Sequence, residues 1–219
     1  MKIGIIGSGH IGGTLTRRLT ALGHEVSVAN SRGPETLLDL QAETGATPVQ
    51  VGDVAKGAEI VIVTIPEKAV PGLPKDLFDN AAEGYAVIDT NNYYPQRDGR
   101  IAGIEDEGLT ESGWVAEQLG QPVNKAFNNI NFQHLLDLGV AAGEPGRIAL
   151  PVAGDNEEAK AKVLRLVDDL GFDPIDAGSL ADSWRQQPGT PAYGTNHDAP
   201  GLRKALAEAS PIRPAELRG

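Results

Sequence analysis

The chain has 219 residues, 40% of them hydrophobic, and 19 basic against 30 acidic side chains give a formal net charge of −11. That length supports one or two domains with a sizeable core. The acidic balance argues against nucleic-acid or anionic-membrane partners, which need a concentrated basic surface. There is no cysteine, so disulfides, thiolate nucleophiles and Cys-based metal sites are excluded. His10, His24, His134 and His197 are scattered without metal-ligand spacing, so no metal is expected. The N-terminus shows no charged segment followed by a long apolar run, and no later stretch reaches about 18 apolar residues; a cytoplasmic protein is expected.

The run Met1 to Ile6 reads as a strand, Gly7-Ser8-Gly9-His10-Ile11-Gly12 as a glycine turn, and Thr14 to Leu22 as a helix. This is the G-x-G-x-x-G dinucleotide fingerprint in its proper context of strand, turn and helix. Gly7 allows the tight turn, the bare Gly9 lets backbone approach a pyrophosphate, and Gly12 lets the helix pack on the strand. The pyrophosphate then faces unpaired N–H groups at the positive end of the helix. Glu25 to Ala29 is the second strand. Its end is where NAD enzymes usually place an acid for the ribose 2′-hydroxyl, whereas this chain has Asn30-Ser31-Arg32. A hydroxyl and a guanidinium fork suit a 2′-phosphate, so NADP(H) is favoured over NAD. Arg17 and Arg18 fall near the same site, as added positive potential or as a solvated helix face.

Strand and helix signals then alternate. Pro34 to Leu40 reads as a helix, Pro48 to Val51 as a short strand and Asp53 to Ala55 as a helical turn. Glu59 to Thr64 is a continuous apolar strand of the kind buried in parallel sheets, ended by Ile65-Pro66. Tyr85 to Asp89 and Pro122 to Phe127 are the fifth and sixth strands, separated by a polar, Gly-rich segment, Tyr93 to Gly108, and a helix from about Ser112 to Leu119. Ile148 to Gly154 is a strand, Asn156 to Leu170 an amphipathic helix capped by Asp155, and Phe172 to Asp176 another strand. Ala177 to Arg185 reads as helical, Gln186 to Gly194 as breaker-rich, and Ala199 to Ala209 as the last helix. The fold class expected is α/β, a doubly wound, mostly parallel Rossmann-type sheet. Residues 1–140 form the NADP-binding domain and 141–219 a small α/β C-terminal cap that shares its interior.

Gly7 to Gly12, Asn30-Ser31-Arg32, Thr64-Ile65-Pro66, Lys125-Ala126-Phe127-Asn128, Val152-Ala153-Gly154-Asp155 and Asp176 to Leu180 together resemble the coenzyme F-420-dependent NADP oxidoreductases. The resemblance implies a homodimer and hydride exchange between NADPH and a deazaflavin, or a related flavin-like acceptor, at the carboxyl ends of the strands. It places Gly7 to Gly12 on the pyrophosphate, Ser31 and Arg32 on the 2′-phosphate, Thr64 to Pro66 beside the nicotinamide ribose, and the acceptor against Ala126 to Asn128. The departure is in the last forty residues, where Ser183-Trp184-Arg185 and the stretch ending at Tyr193 replace a more apolar helical C-terminus.

Hydride transfer between two rings is done by the cofactors, and the protein supplies orientation and a dry pocket. Phe127, Trp184 and Tyr193 are the ring-stacking candidates. Asn91, Asn92 and Asn128 are amides at strand ends suited to a carboxamide or carbonyl, and equally to turns. A carbonyl or imine reductase would need a proton donor, for which Lys125, Tyr193 and His134 are candidates. A β-hydroxyacid dehydrogenase would need a longer all-helical C-terminal domain. A non-catalytic NADP-sensing module and a reductase of chelated iron also stay open, since a nucleotide fold does not prove catalysis.

Overall fold

The computed structural model describes residues 1–219. Six parallel strands, β1 (Lys2–Ile6), β2 (Glu25–Ala29), β3 (Thr47–Pro48), β4 (Ile60–Val63), β5 (Ala86–Asp89) and β6 (Asn124–Lys125), form one sheet in the order β3-β2-β1-β4-β5-β6. The order reverses between β1 and β4, so their carboxyl ends diverge into a crevice, the place where open α/β sheets bind ligands. The fold class is thus a Rossmann-type doubly wound sheet.

Strand periodicity explains why both faces are dry. Side chains alternate across a strand. Ile3, Ile5, Ile60, Ile62, Ala86 and Ile88 enter one core cluster, while Ile6, Val61, Val63 and Val87 enter the other. Helix α1 (His10–Ala21) buries Leu15 and Leu19 against the first face. The second face is covered by the connections that follow β3, β4 and β5, through Val54, Val70, Phe78 and Trp114 among others. Along the chain come α2 (Leu38–Thr44), the short α3 (Pro95–Asp98) and α4 (Ala102–Glu105), then α5 (Glu111–Leu119), which buries Trp114 and Val115 there. Thr110 caps α5 by accepting from Gly113 N at 3.0 Å.

Beyond β6 lie α6 (Phe132–Asp137), β7 (Ala149–Val152), α7 (Glu157–Asp169), β8 (Asp173–Asp176) and α8 (Ala199–Glu208). β7 and β8 pair in parallel as a separate sheet, joined to the main one by a single antiparallel bridge between Lys125 and Ala153. Leu150, Val152, Val163, Leu166 and Phe172 belong to the same core cluster as Ile3 and Ile60. The C-terminal segment therefore shares the interior of the sheet.

Several boundaries differ from the sequence reading. α7 is capped by Asn156, whose side chain accepts from Ala159 N, while Asp155 instead accepts from Leu180 N at 2.9 Å. Ala177 to Arg185 is helical only from Leu180, and as a 3-10 segment, Leu180–Gln186, opened by a Ser179/Asp182 capping box. The sixth strand shrinks to two residues because Phe127 takes a left-handed backbone, φ 60°, the one non-glycine residue to do so. α3, α4 and α6 were not anticipated.

Candidate functional site

Three glycines open the site, and they are glycine for different reasons. A Cβ on Gly7 would run into Thr64 O, and Gly7 has φ +106°. A Cβ on Gly12 would run into Gly7 O and come within 2.7 Å of Thr64 Cγ2. Packing of α1 against β1 and β4 requires both. At Gly9 a Cβ would meet no heavy atom within 4 Å, and its φ of −70° suits any residue. Gly9 is the N-cap of α1 and carries no side-chain cap, so the first N–H groups of the helix face open space. Packing does not require glycine there; as a bare N-cap it leaves the helix N-terminus open to whatever lies against the backbone.

A cleft of about 530 Å³ runs from this turn along the ends of β1, β2 and β4. Its lining includes Gly7, Ser8, Gly9, Asn30, Ser31, Arg32, Thr64, Ile65 and Pro66. Asn30 ties the end of β2 to the turn: its Nδ2 donates to Ser8 Oγ at 3.2 Å and to Thr36 Oγ1 at 2.9 Å, and its Oδ1 accepts from Arg32 N at 2.9 Å. Ser31 and Arg32 are exposed at the rim, and the Arg32 guanidinium makes no ion pair with the protein. The far wall is the 3-10 segment Glu67–Gly72 with Leu73 and Pro74.

On the other side of Gly9, Thr64, Ile65 and Pro66 a second cavity of about 220 Å³ is lined by His10, Ile11, Thr90, Asn91, Asn92, Tyr94 and Arg97. Asn91 is buried and held on two sides. Its Oδ1 accepts from Ile65 N at 3.0 Å and its carbonyl from Lys125 Nζ at 2.9 Å, which leaves Nδ2 without a protein partner. A buried donor left unpaired is unfavourable, so this amide fits an acceptor on a ligand. His10 stacks on Phe132, with centroids 4.3 Å apart, and Arg97 lies over the Tyr94 ring. Tyr94 and Tyr193 join hydroxyl to hydroxyl at 2.5 Å. Burial, followed by the bond to Tyr94, raises the Tyr193 pKa, so it is a poorer acid than a free tyrosine.

The remaining sequence candidates lie elsewhere. Phe127 is fully buried in the core cluster with Ala126, Ile130 and Leu135, so it is not a wall of the cavity; its strained turn aims Asn128 instead. Asn128 is buried, its Nδ2 donating to Asn92 Oδ1 at 3.0 Å and Gln186 O at 2.8 Å, and it acts as a brace beneath Asn92. Trp184 lines a separate cavity with Thr110, Gln187 and Arg213 and stacks under Arg185. Lys125 is not a strand-end surface lysine. It is fully buried, with Nζ 3.3 Å from Glu111 and 3.8 Å from Asp89. Burial pulls its pKa down, but Glu111 and Asp89 outweigh this and the net direction is up. Such a lysine keeps its proton and touches neither cavity. His134 pairs with Asn196 away from both. Arg17, by contrast, lines a cavity beside the glycine turn with Ser8, Gly9 and His10 and is bidentate to Glu43, whereas Arg18 donates to Leu136 O and Leu170 O and is structural. The sequence reading missed Tyr94 and Phe132. The Tyr93-Tyr94 pair just past a strand end was the available signal for the first.

Residues 2–93 match the family described as NADP oxidoreductase, coenzyme F420-dependent. Over nearly the whole chain the fold matches the hypothetical protein SMa0349 from Sinorhizobium meliloti, at TM-score 0.73 and 28% identity, covering 90% of this chain and 95% of that one. It also matches a proposed F420-dependent NADP reductase from Arthrobacter sp. FB24, at TM-score 0.68 and 25% identity, covering 84% and 87%. The metalloreductase STEAP3 of Rattus norvegicus is 29% identical over 187 residues, 83% of this chain and 35% of that protein. The chain spans less than half the length of the curated relatives it matches. No helix is long and apolar enough to cross a membrane.

Proposed function

We propose that this chain is an NADP-dependent oxidoreductase that passes a hydride between NADP(H) and a deazaflavin such as coenzyme F-420, or a flavin-like ring. Gly9 carries the nucleotide half: an uncapped helix N-terminus opens into a cleft whose other end holds an exposed serine and an unpaired arginine. That spacing matches a pyrophosphate at one end and a 2′-phosphate at the other. The matched family's description supports the acceptor half, as does the second cavity, lined by a neutral amide, a phenol and an imidazole.

The bound nicotinamide supplies the hydride. The residues of this chain bind, orient and exclude water. Asn91, fixed by Ile65 and Lys125, offers Nδ2 to a carbonyl oxygen, and Thr64 to Pro66 separate the two cavities. His10 on Phe132 and Tyr94 give flat surfaces for an acceptor ring.

The test is NADPH oxidation, aerobic and anaerobic, against deazaflavin, FMN, FAD, ferric chelates and cyclic imines. Fastest turnover with the deazaflavin or a flavin is expected. The ferric chelates are included because a relative is described as a metalloreductase. Turnover confined to imines or carbonyls moves the assignment to a carbonyl or imine reductase, and tight NADPH binding without turnover favours a sensor. The proposal includes a cytoplasmic homodimer, checked by sedimentation of the purified protein and by cell fractionation.

A further inference from the structure

Glu67 directly follows the Thr64-Ile65-Pro66 segment that both cavities share, and it opens the 3-10 segment that walls the nucleotide cleft. It is 0% exposed, and neither carboxylate oxygen meets a protein hydrogen-bond partner. The charged groups facing it come from four elements: Asp89 at the end of β5, Lys125 in β6, Glu111 in α5 and Asp98 in α3. Their charges are already matched. Lys125 lies between Asp89 and Glu111, Arg213 takes the other oxygen of Glu111 at 2.9 Å, and Asp98 is paired with Arg97 at 2.7 Å. No cation is left in contact with Glu67. Ionised, it would be a buried, uncompensated charge beside other carboxylates, a state that proteins avoid by keeping the proton.

The wall it begins is held as well by Val70, buried in the second core cluster, and by backbone bonds from Ala69 N to Pro66 O and from Leu73 N to Val70 O. Within the segment Glu67 and Val70 point inward, and Ala69, Gly72, Leu73 and Pro74 present themselves to the cleft. Lys68 adds one exposed bond to Arg97 O at 2.6 Å.

We infer that Glu67 is a positioning residue for the nucleotide cleft: as a neutral carboxylic acid it stays buried and lets the wall Glu67–Gly72 pack against the sheet, and losing its proton displaces the wall and weakens dinucleotide binding. Burial, then the nearby Asp89, raises the Glu67 pKa well above the ordinary carboxylate range, with Lys125 opposing, which agrees with the geometry. The inference rests on the nucleotide half of the proposed function and is independent of the acceptor.

The experiment titrates NADPH against wild type and Glu67→Gln from about pH 6.5 to about pH 9.5, a range that brackets documented buried glutamic acids. Glutamine reproduces the neutral acid in shape and cannot ionise. The expected result is near-equal affinity at the acid end and at least about tenfold weaker binding by wild type than by the variant at the alkaline end, a difference of about 1.4 kcal/mol. Titration of the nucleotide phosphates affects both proteins alike and cancels in the ratio. A ratio that stays constant across the range overturns the inference. Absence of NADPH binding at every pH overturns the nucleotide reading, and the inference with it. Should the variant not fold, wild type carrying glutamate with a ¹³C carboxyl is followed by infrared spectroscopy. A labelled band of a protonated buried acid should vanish with the same midpoint as the affinity; no such band at the acid end overturns the inference.

Discussion

Replacing Gly9 by alanine separates a glycine kept for a ligand from glycines kept for packing. In the free protein the added methyl meets no atom within 4 Å, and the backbone there, at φ −70°, needs no adjustment. Alanine is a poorer N-cap than glycine by roughly 0.5–1 kcal/mol, and a stiffer unfolded chain returns about 0.4–1 kcal/mol. The net change should stay within about 1 kcal/mol, or about 2–4 °C in Tm for a chain of this size. With NADPH bound, the same methyl occupies space the pyrophosphate needs. Overpacking of that kind costs about 1–3 kcal/mol, which is about five- to 150-fold in affinity. Calorimetry and NADPH titration of Gly9→Ala, beside Gly12→Ala as the packing control, read both quantities. Gly12→Ala should lose stability outright, because its Cβ strikes Gly7 O. Unchanged NADPH affinity in Gly9→Ala would refute the argument, and so would a Tm loss as large as that of Gly12→Ala.

Arg32→Ala should weaken NADPH by about tenfold, the low end for a charge-assisted phosphate contact because the residue is exposed, and leave NADH nearly unchanged; titration of both nucleotides checks it. Lys125→Met should destabilise the protein by about 3–5 kcal/mol, since Asp89 and Glu111 would lose a buried partner, and an unaltered Tm would contradict that role. Glu67→Gln should gain stability over wild type as pH rises. The native pKa of Glu67 is raised, so its contribution is complete below the ordinary carboxylate range and is lost toward the native pKa at about 1.4 kcal/mol per pH unit. Parallel Tm profiles for the two proteins between about pH 5 and about pH 8 would show that Glu67 is ionised when folded.

What was legible in the sequence is what obeys local rules. The glycine turn, the alternation of Ile60 to Val63 between two cores and the asparagine-serine-arginine end of β2 all appear in the structure where chain order put them. Element ends were less legible because they depend on partners distant in sequence. Pro122 to Phe127 looks like six strand residues, yet only Asn124 and Lys125 pair with β5 before Phe127 turns left-handed. The Asp155 cap was misplaced by one residue because its carboxylate is taken by Leu180 N, 25 positions away. Phe127 looked like a wall because an aromatic at a strand end suits one. Whether its ring faces a cavity or the core depends on that backbone turn, which no periodicity encodes.

The buried charges were illegible for a stronger reason: Glu67, Asp89, Glu111, Lys125 and Arg213 lie on five separate segments and meet only after folding. Their position changes how a Lys125 variant must be read. Lys125 Nζ holds the Asn91 carbonyl, and Asn91 Oδ1 holds Ile65 N in the segment shared by both cavities. Removing the lysine therefore loosens the cofactor side of the site without touching a ligand. A fall in turnover in Lys125→Met would consequently not identify a proton donor, because a donor held up in pKa by two carboxylates and sealed from both cavities has no route to a substrate. The discriminating quantity is where the loss falls. A positioning role raises KM for NADPH and lowers Tm together, with the pH profile of kcat unchanged, whereas a donor would lower kcat and remove its basic limb.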